Sequence, residues 1–273
     1  MLGAIYGDIV GSRFEFQDFG SKDFVMLLPE CHFTDDTLMT LAVAEALVIT
    51  KDDRSNLEKV LIRTMKKIAS EHPNVSWGQR FYKWLFEYEV PVPLNSYGNG
   101  SAMRISPVGW VCDTLEETID LSFRVTNITH NHPEGIKGAE AIAVAIFMAR
   151  NGSNKEEIKN KMIEYYPQIK DQTVESIKAS GYCVDELGHF VTCQGSVPQA
   201  ITCFLESETF EDAIRNAISL NGDADTLACM AGSIAEAYYG LTYNDEDKIL
   251  EYLTDDLKSC YFAFDLIKKK RKK

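Results

Sequence analysis

Apolar residues recur along this chain at the three- and four-residue spacing of helices, and no series of segments alternates with period two. The pattern predicts an all-α fold. Val60, Leu61, Met65 and Ile68 mark one amphipathic helix, and Trp77, Phe81, Trp84 and Leu85 mark another. Further helices are expected over 35–50, 115–128, 136–148, 198–205 and 210–220, with a polar, solvent-facing one over 155–166 and a last one over roughly 245–267. Gly3, Gly7 and Gly11 recur every four positions, so a helix there would carry all three on one face, open to close approach by another backbone. From Glu15 a polar segment, expected to be mobile, runs to about residue 33. Prolines and glycines make 91–101 a long loop that feeds a helix at Ala102, while 129–135, 181–184 and 194–198 read as breaks.

Composition adds bounds to this pattern. A chain of 273 residues, 45% hydrophobic and 25% charged, can bury a sizeable core, and one domain over 1–267 is expected. No run of about 18 apolar residues appears, and the start of the chain lacks the basic region of a signal peptide, so a cytoplasmic protein with no membrane partner is expected. The seven cysteines are scattered singly, without a C-x-x-C pair, and read as buried, reduced thiols. Without the six basic residues of the tail, 268–273, the net charge of −13 becomes −19. Such a body repels polyanions, so nucleic acid is not an expected partner, and the tail reads as a disordered, solvated end.

Two polar runs change the picture. Asn221, Gly222, Asp223, Ala224, Asp225 and Thr226 lead into an apolar helix, and so do Thr34, Asp35, Asp36 and Thr37. Paired carboxylates beside a hydroxyl are hard oxygen donors of the kind that suits magnesium or manganese. Such residues also serve as N-caps, because they satisfy orphan amides at the positive helix end. Two runs, each with more carboxylate than one cap needs, favour a shared metal site. The stretch Ser96, Tyr97, Gly98, Asn99, Gly100, Ser101, followed by Arg104, reads either as a plain turn or as a loop whose amides face a phosphate while Tyr97 offers a flat face to a base. His130 and His132 stand at another helix mouth, where a histidine contacts a ligand or caps.

Together these stretches resemble the ADP-ribosylglycohydrolase family, the DraG-like enzymes that remove ADP-ribose from modified proteins. The resemblance spans most of the chain. It rests on G-x-x-x-G-D-x-x-G-x-x-x-E from Gly3 to Glu15, T-D-D-T at 34–37, S-Y-G-N-G-S-A-M-R at 96–104, T-H-x-H-P-E-G at 129–135 and G-D-x-D-T-x-A-x-x-A-G at 222–232, in family order. It implies a single orthogonal helical bundle around a central cleft with two magnesium ions, or manganese in their place. Thr34, Asp35 and Asp36 match one group of metal ligands, and Asp223, Asp225 and Thr226 match the other. Glu15 matches a mobile glutamate that approaches the metals and the reacting ribose, and Glu15 and Asp36 are the expected catalytic residues. The loop from Ser96 to Arg104 would hold a diphosphate, Tyr97 would stack near adenine, and His130 would lie beside the distal ribose or the phosphates. Residues 151–194 match none of these motifs.

The expected activity is hydrolysis of the C1″ glycosidic bond of an ADP-ribosylated acceptor, most simply ADP-ribosyl-arginine, with ADP-ribose or an ADP-ribosylated protein as partner. A two-metal nucleotide phosphohydrolase is the alternative within enzymes, although its usual His-Asp or E-x-x-E patterns are missing. A non-catalytic ADP-ribose-binding member of the fold is a third reading, opposed by the intact acidic residues. The sequence fixes neither the acceptor nor the oligomeric state.

Overall fold

Two helices that could not normally approach so closely set the frame. Helix α1 (Leu2–Gly11) and helix α13 (Ala224–Tyr239) run antiparallel, with Gly3 against Gly232, Gly7 against Ala228 and Gly11 against Asp225. A Cβ on Gly7 would overlap the Ala228 carbonyl, and one on Gly11 would overlap the Asp225 backbone. The four-residue glycine spacing is therefore what lets the backbones touch. Helix α1 is buried along its whole length and α13 along nearly all of it, so both read as apolar all round rather than amphipathic.

The computed structural model describes residues 1–181 and 189–270. Between α1 and α13 the chain forms α2 (Asp35–Ile49), α3 (Leu57–Glu71), α4 (Gln79–Phe86), α5 (Gly100–Met103), α6 (Ser106–Val111), α7 (Leu115–Asn127) and α8 (Pro133–Arg150). It continues with α9 (Lys155–Tyr165), α10 (Val174–Ala179), α11 (Cys193–Glu206) and α12 (Phe210–Ile218), and ends with α14 (Tyr243–Leu250) and α15 (Asp255–Asp265). Helices α1, α2, α8 and α13 form the buried centre, with amphipathic α3, α7, α11, α12 and α15 packed around them. Among the described residues there is no sheet, only one isolated bridge between Gly98 and Thr192, and no helix long and apolar enough to cross a membrane.

Side-chain caps place most starts where the pattern put them: Thr34 for α2, Thr114 for α7 and Asn154, in a capping box with Glu157, for α9. Three expectations need correction. The break read at 194–198 lies inside α11, which begins at Cys193 because Thr192 caps it; Pro198 stays helical because this stretch is buried, at the cost of one backbone hydrogen bond. The single helix expected over 245–267 is two, divided where Thr254, Asp255 and Asp256 start a new one. The loop ending at Ser101 turns helical at Gly100.

Among the described residues six cysteines are free, five of them buried and Cys260 partly so. Cys183, most of the break at 181–184, and Arg271, Lys272 and Lys273 lie outside the described residues. The tail is not solvated from its start: Lys268 pairs with Asp265 at 2.6 Å, and the Lys269 amide donates to the Trp110 carbonyl at 2.8 Å.

The glycine contact makes a testable demand. Gly7→Ala should destabilise the fold by about 1–3 kcal/mol or more through overpacking against backbone. Gly78→Ala, where a Cβ meets nothing within 4 Å, should stay within about 0.5 kcal/mol of the parent. Chemical denaturation compares them, and equal midpoints would remove the glycine contact as the frame of the fold.

Candidate active site

Because α1 and α13 are antiparallel and in contact, the C-terminal half of α1 lies beside the N-terminus of α13, and α2 begins against both. Asp8 is the one charged residue in α1 and is fully buried. Its carboxylate accepts from the Thr34 amide at 3.0 Å, the Thr34 hydroxyl at 2.7 Å, the Thr37 amide at 3.0 Å and the Thr37 hydroxyl. Asp8 thus holds the start of α2 in place from a neighbouring helix, a role the sequence reading missed. The available signal was a lone carboxylate in an otherwise apolar helix.

With Asp8 and Thr34 at that work, the carboxylates of the two acidic runs are not consumed as caps. Thr34, not an aspartate, caps α2, and Asp223 at the N-cap of α13 makes no side-chain cap bond. Instead Asp223 accepts from Asn99 Nδ2 at 2.6 Å, which ties the glycine loop to the acidic cluster. The Thr226 hydroxyl donates to Asp36 Oδ2 at 3.2 Å and so joins two runs 190 positions apart. Oxygens of Asp8, Asp36 and Asp225 lie within 4.8 Å of one another, as do those of Glu15, Asp223 and Asp225, so Asp225 belongs to both groups.

These groups have no ion-pair partner among the described residues, and their protons are correspondingly hard to remove. Burial, then the charges of Asp8 and its neighbours, holds Asp35 and Asp36 well above the usual carboxylate range. Burial followed by Asp223 and Asp36 does the same for Asp225, while burial raises Asp8 and Asp223 against the hydrogen bonds they accept. Glu15, half-buried, is raised by burial and then by Asp223 and Asp8. Asp36 Oδ1 is buried with no hydrogen-bond donor in reach. A buried orphan acceptor within an all-oxygen, anionic donor set fits a hard divalent cation.

Glu15 follows a 3-10 turn (Ser12–Phe14), and the segment after it is tied down rather than loose. The Phe16 amide donates to the Gly222 carbonyl at 2.7 Å, and the amides of Phe19 and Gly20 donate to Asn221 Oδ1. Asn221 and Gly222 both adopt left-handed backbone, which turns the chain into Asp223.

The cleft encloses about 450 Å³. Its wall includes the acidic group Glu15, Asp35, Asp36, Asp223, Asp225 and Thr226 and also Ser96, Gly98, Asn99, Gly100, Arg104 and His130. Three expected site residues, Tyr97, Ser101 and Thr34, are not in its wall. Tyr97 is 46% exposed and tilts against His132, and Ser101 is buried with its hydroxyl on the Gly135 carbonyl at 2.8 Å. Thr34 is buried on Asp8, and His132 caps α8. The aromatic side chains lining the cleft are Phe16, Trp77 and Phe81; helical spacing had put Trp77 and Phe81 on one amphipathic helix, but α4 begins at Gln79 and leaves Trp77 ahead of it. Residues 191–193 also contribute: the Asn99 amide donates to the Val191 carbonyl at 3.0 Å, and the Cys193 amide to the Tyr97 carbonyl at 2.9 Å.

The all-α chain thus has a cleft that joins a cluster of unpaired carboxylates to a glycine loop and a buried guanidinium. Residues 1–268 match the family model described as ADP-ribosylglycohydrolase, and the chain belongs to that family of glycosidic-bond hydrolases. It is 27% identical over 306 residues to the ADP-ribosylhydrolase ARH3 of Mus musculus, covering 88% of this chain and 83% of that protein. It is also 27% identical over 275 residues to the ADP-ribosylarginine hydrolase Tri1 of Pseudomonas putida (strain GB-1), covering 89% and 70%. A solved ADP-ribosylglycohydrolase-related protein complex shares the fold, with a TM-score of 0.70 at 22% identity over 97% of this chain and 95% of that one.

The carboxylate cluster predicts an unusual pH response. A carboxyl whose pKa is raised in the folded chain contributes stability that is fully present below the unfolded value, near 4, and lost as pH rises through the folded value. Without divalent cation, the melting temperature of the parent should therefore fall more steeply between about pH 5 and 8 than that of Asp36→Asn. Magnesium at about a hundredfold excess over Kd should return about 2.7 kcal/mol to the parent at pH 8. Asp36→Asn and Asp225→Asn should lose most of that response. Parental magnesium shifts in both variants would rule out a shared cation site.

Proposed function

We propose that this protein is a magnesium-dependent hydrolase that cleaves the C1″ glycosidic bond of ADP-ribosyl-arginine and releases ADP-ribose. The observation that carries the reading is the make-up of the cleft wall, which combines a cluster of carboxylates with glycine-loop backbone, His130 and the cationic Arg104. A ligand that carries both a diol next to a developing cation and a diphosphate matches both sets of groups. Names of relatives support the substrate class, and the Tri1 relative's name supports arginine as acceptor.

Asp35, Asp36, Asp223 and Asp225, with the hydroxyls of Thr34 and Thr226, are the residues that would hold the metal. Bound magnesium would supply ribose orientation and a polarised water. Glu15 faces Asp223 and Asp225 and carries a raised pKa, so it is suited to accept the proton of the water that attacks C1″. As the C1″–N bond breaks, the departing guanidine takes up a proton, and the carboxylates favour the oxocarbenium-like transition state. Arg104 and the amides of the loop hold the diphosphate, and the exposed ring of Tyr97, outside the cleft wall, is the one the loop offers to the adenine.

Peptides carrying ADP-ribosyl-arginine or ADP-ribosyl-serine, incubated with magnesium and resolved by mass, test the proposal. Free ADP-ribose from the arginine peptide is expected; AMP would indicate diphosphate cleavage, and an intact peptide would overturn the reading. Glu15→Gln should fold and bind ADP-ribose yet lose about 10²- to 10⁴-fold in kcat. Turnover close to the parent's would remove Glu15 from the chemistry.

A further inference from the structure

We propose that Thr129 is a positioning residue: it fixes His130 as a neutral imidazole with its proton on Nε2, so that the ring donates a hydrogen bond to an oxygen of the bound ligand. The argument is one of donors and acceptors. Arg104 is 1% exposed and has no carboxylate partner among the described residues; its Nη2 donates to Thr129 Oγ1 at 2.6 Å. A guanidinium can only donate. Thr129 is fully buried, and its Oγ1 lies 2.7 Å from His130 Nδ1. No other acceptor for its hydroxyl proton is present among the described residues. If His130 carried its proton on Nδ1, the threonine oxygen would accept twice and its own hydrogen would be stranded, a cost of about 1–3 kcal/mol for a buried donor. The hydroxyl proton therefore goes to Nδ1, and the ring's proton sits on Nε2.

Nε2 makes no hydrogen bond within the described chain. It lies beside Gly98 and Gly100, where a Cβ would stand 3.8 and 3.5 Å away, and His130 lines the cleft. Side chains at those two positions would cover it, so the glycines keep this donor open to the ligand. The charged groups that bear on the ring are Arg104, just past α5, and Arg80 on α4, both cationic and both opposing an imidazolium; burial, the larger cause, holds its pKa well below the ordinary histidine value. The cleft thus meets an anionic ligand here with a neutral donor. Identifying that ligand as ADP-ribose rests on the proposed function, whereas the proton's position does not.

Long-range ¹H–¹⁵N spectra of the histidine-labelled full chain, with His130 assigned by the signal lost in His130→Gln, read the proton directly. Without any ligand, His130 should show a pyridine-type Nδ1 and a pyrrole-type Nε2 at pH 7. Thr129→Ser should keep that pattern, and Thr129→Val should lose it and weaken ADP-ribose binding by about 5- to 10-fold, the worth of one neutral hydrogen bond. If Thr129→Val does not fold, the parent and Thr129→Ser spectra decide alone. A protonated Nδ1, or an imidazolium at pH 7, overturns the relay even where ADP-ribose binds. The stated tautomer in a parent that fails to bind ADP-ribose supports the relay and tells against the ligand.

Discussion

Six carboxyl groups, those of Asp8, Glu15, Asp35, Asp36, Asp223 and Asp225, are drawn into one region of a low-dielectric interior without an ion-pair partner among the described residues. Their mutual repulsion is the constraint on which the rest of the structure turns. Helix packing has to hold them together, and the contact of α1 with α13 does so through glycines that allow backbone to touch backbone. Asp8 then secures α2 through hydrogen bonds to Thr34 and Thr37, and Thr226 reaches across to Asp36. Each link uses hydroxyls and amides, so no lysine or arginine neutralises the cluster. Such a cluster could hold a metal ion, whose charge would relieve that repulsion.

Asn99 joins the acidic cluster to the glycine loop, its side chain on Asp223 and its backbone in the loop. Arg104 supplies the only fully buried guanidinium in the cleft wall, with burial alone lowering its pKa to about 10, which still leaves it charged at neutral pH. Asn221 tethers the segment behind Glu15, whose carboxylate lies with those of Asp223 and Asp225.

Much of this was legible in the residues. Helical periodicity gave the fold class, the glycine spacing gave the α1 contact face, and the paired acidic runs gave the cluster, because each depends on local spacing. What escaped depends on tertiary context. Asp8 looks like one polar residue in an apolar helix until α2 is seen to begin against it. Pro198 marks a break on propensity alone, yet burial keeps α11 intact around it. Tyr97 sits in the expected loop, but the pairing of that loop with residues 191–193 turns its ring outward against His132. Phe81 and Trp77 share the spacing of core residues and still line the cleft, since periodicity assigns a face without saying whether a ligand or a neighbouring helix covers it.

Whether carboxylates gathered at this cost serve to hold metal is most directly read by anomalous diffraction from crystals grown with manganese and ADP-ribose. Two anomalous peaks between the N-termini of α2 and α13, bounded by Asp35, Asp36, Asp223 and Asp225 and close to the ribose, are the expected result. Ordered ADP-ribose in the cleft with no anomalous peak at those carboxylates would contradict it.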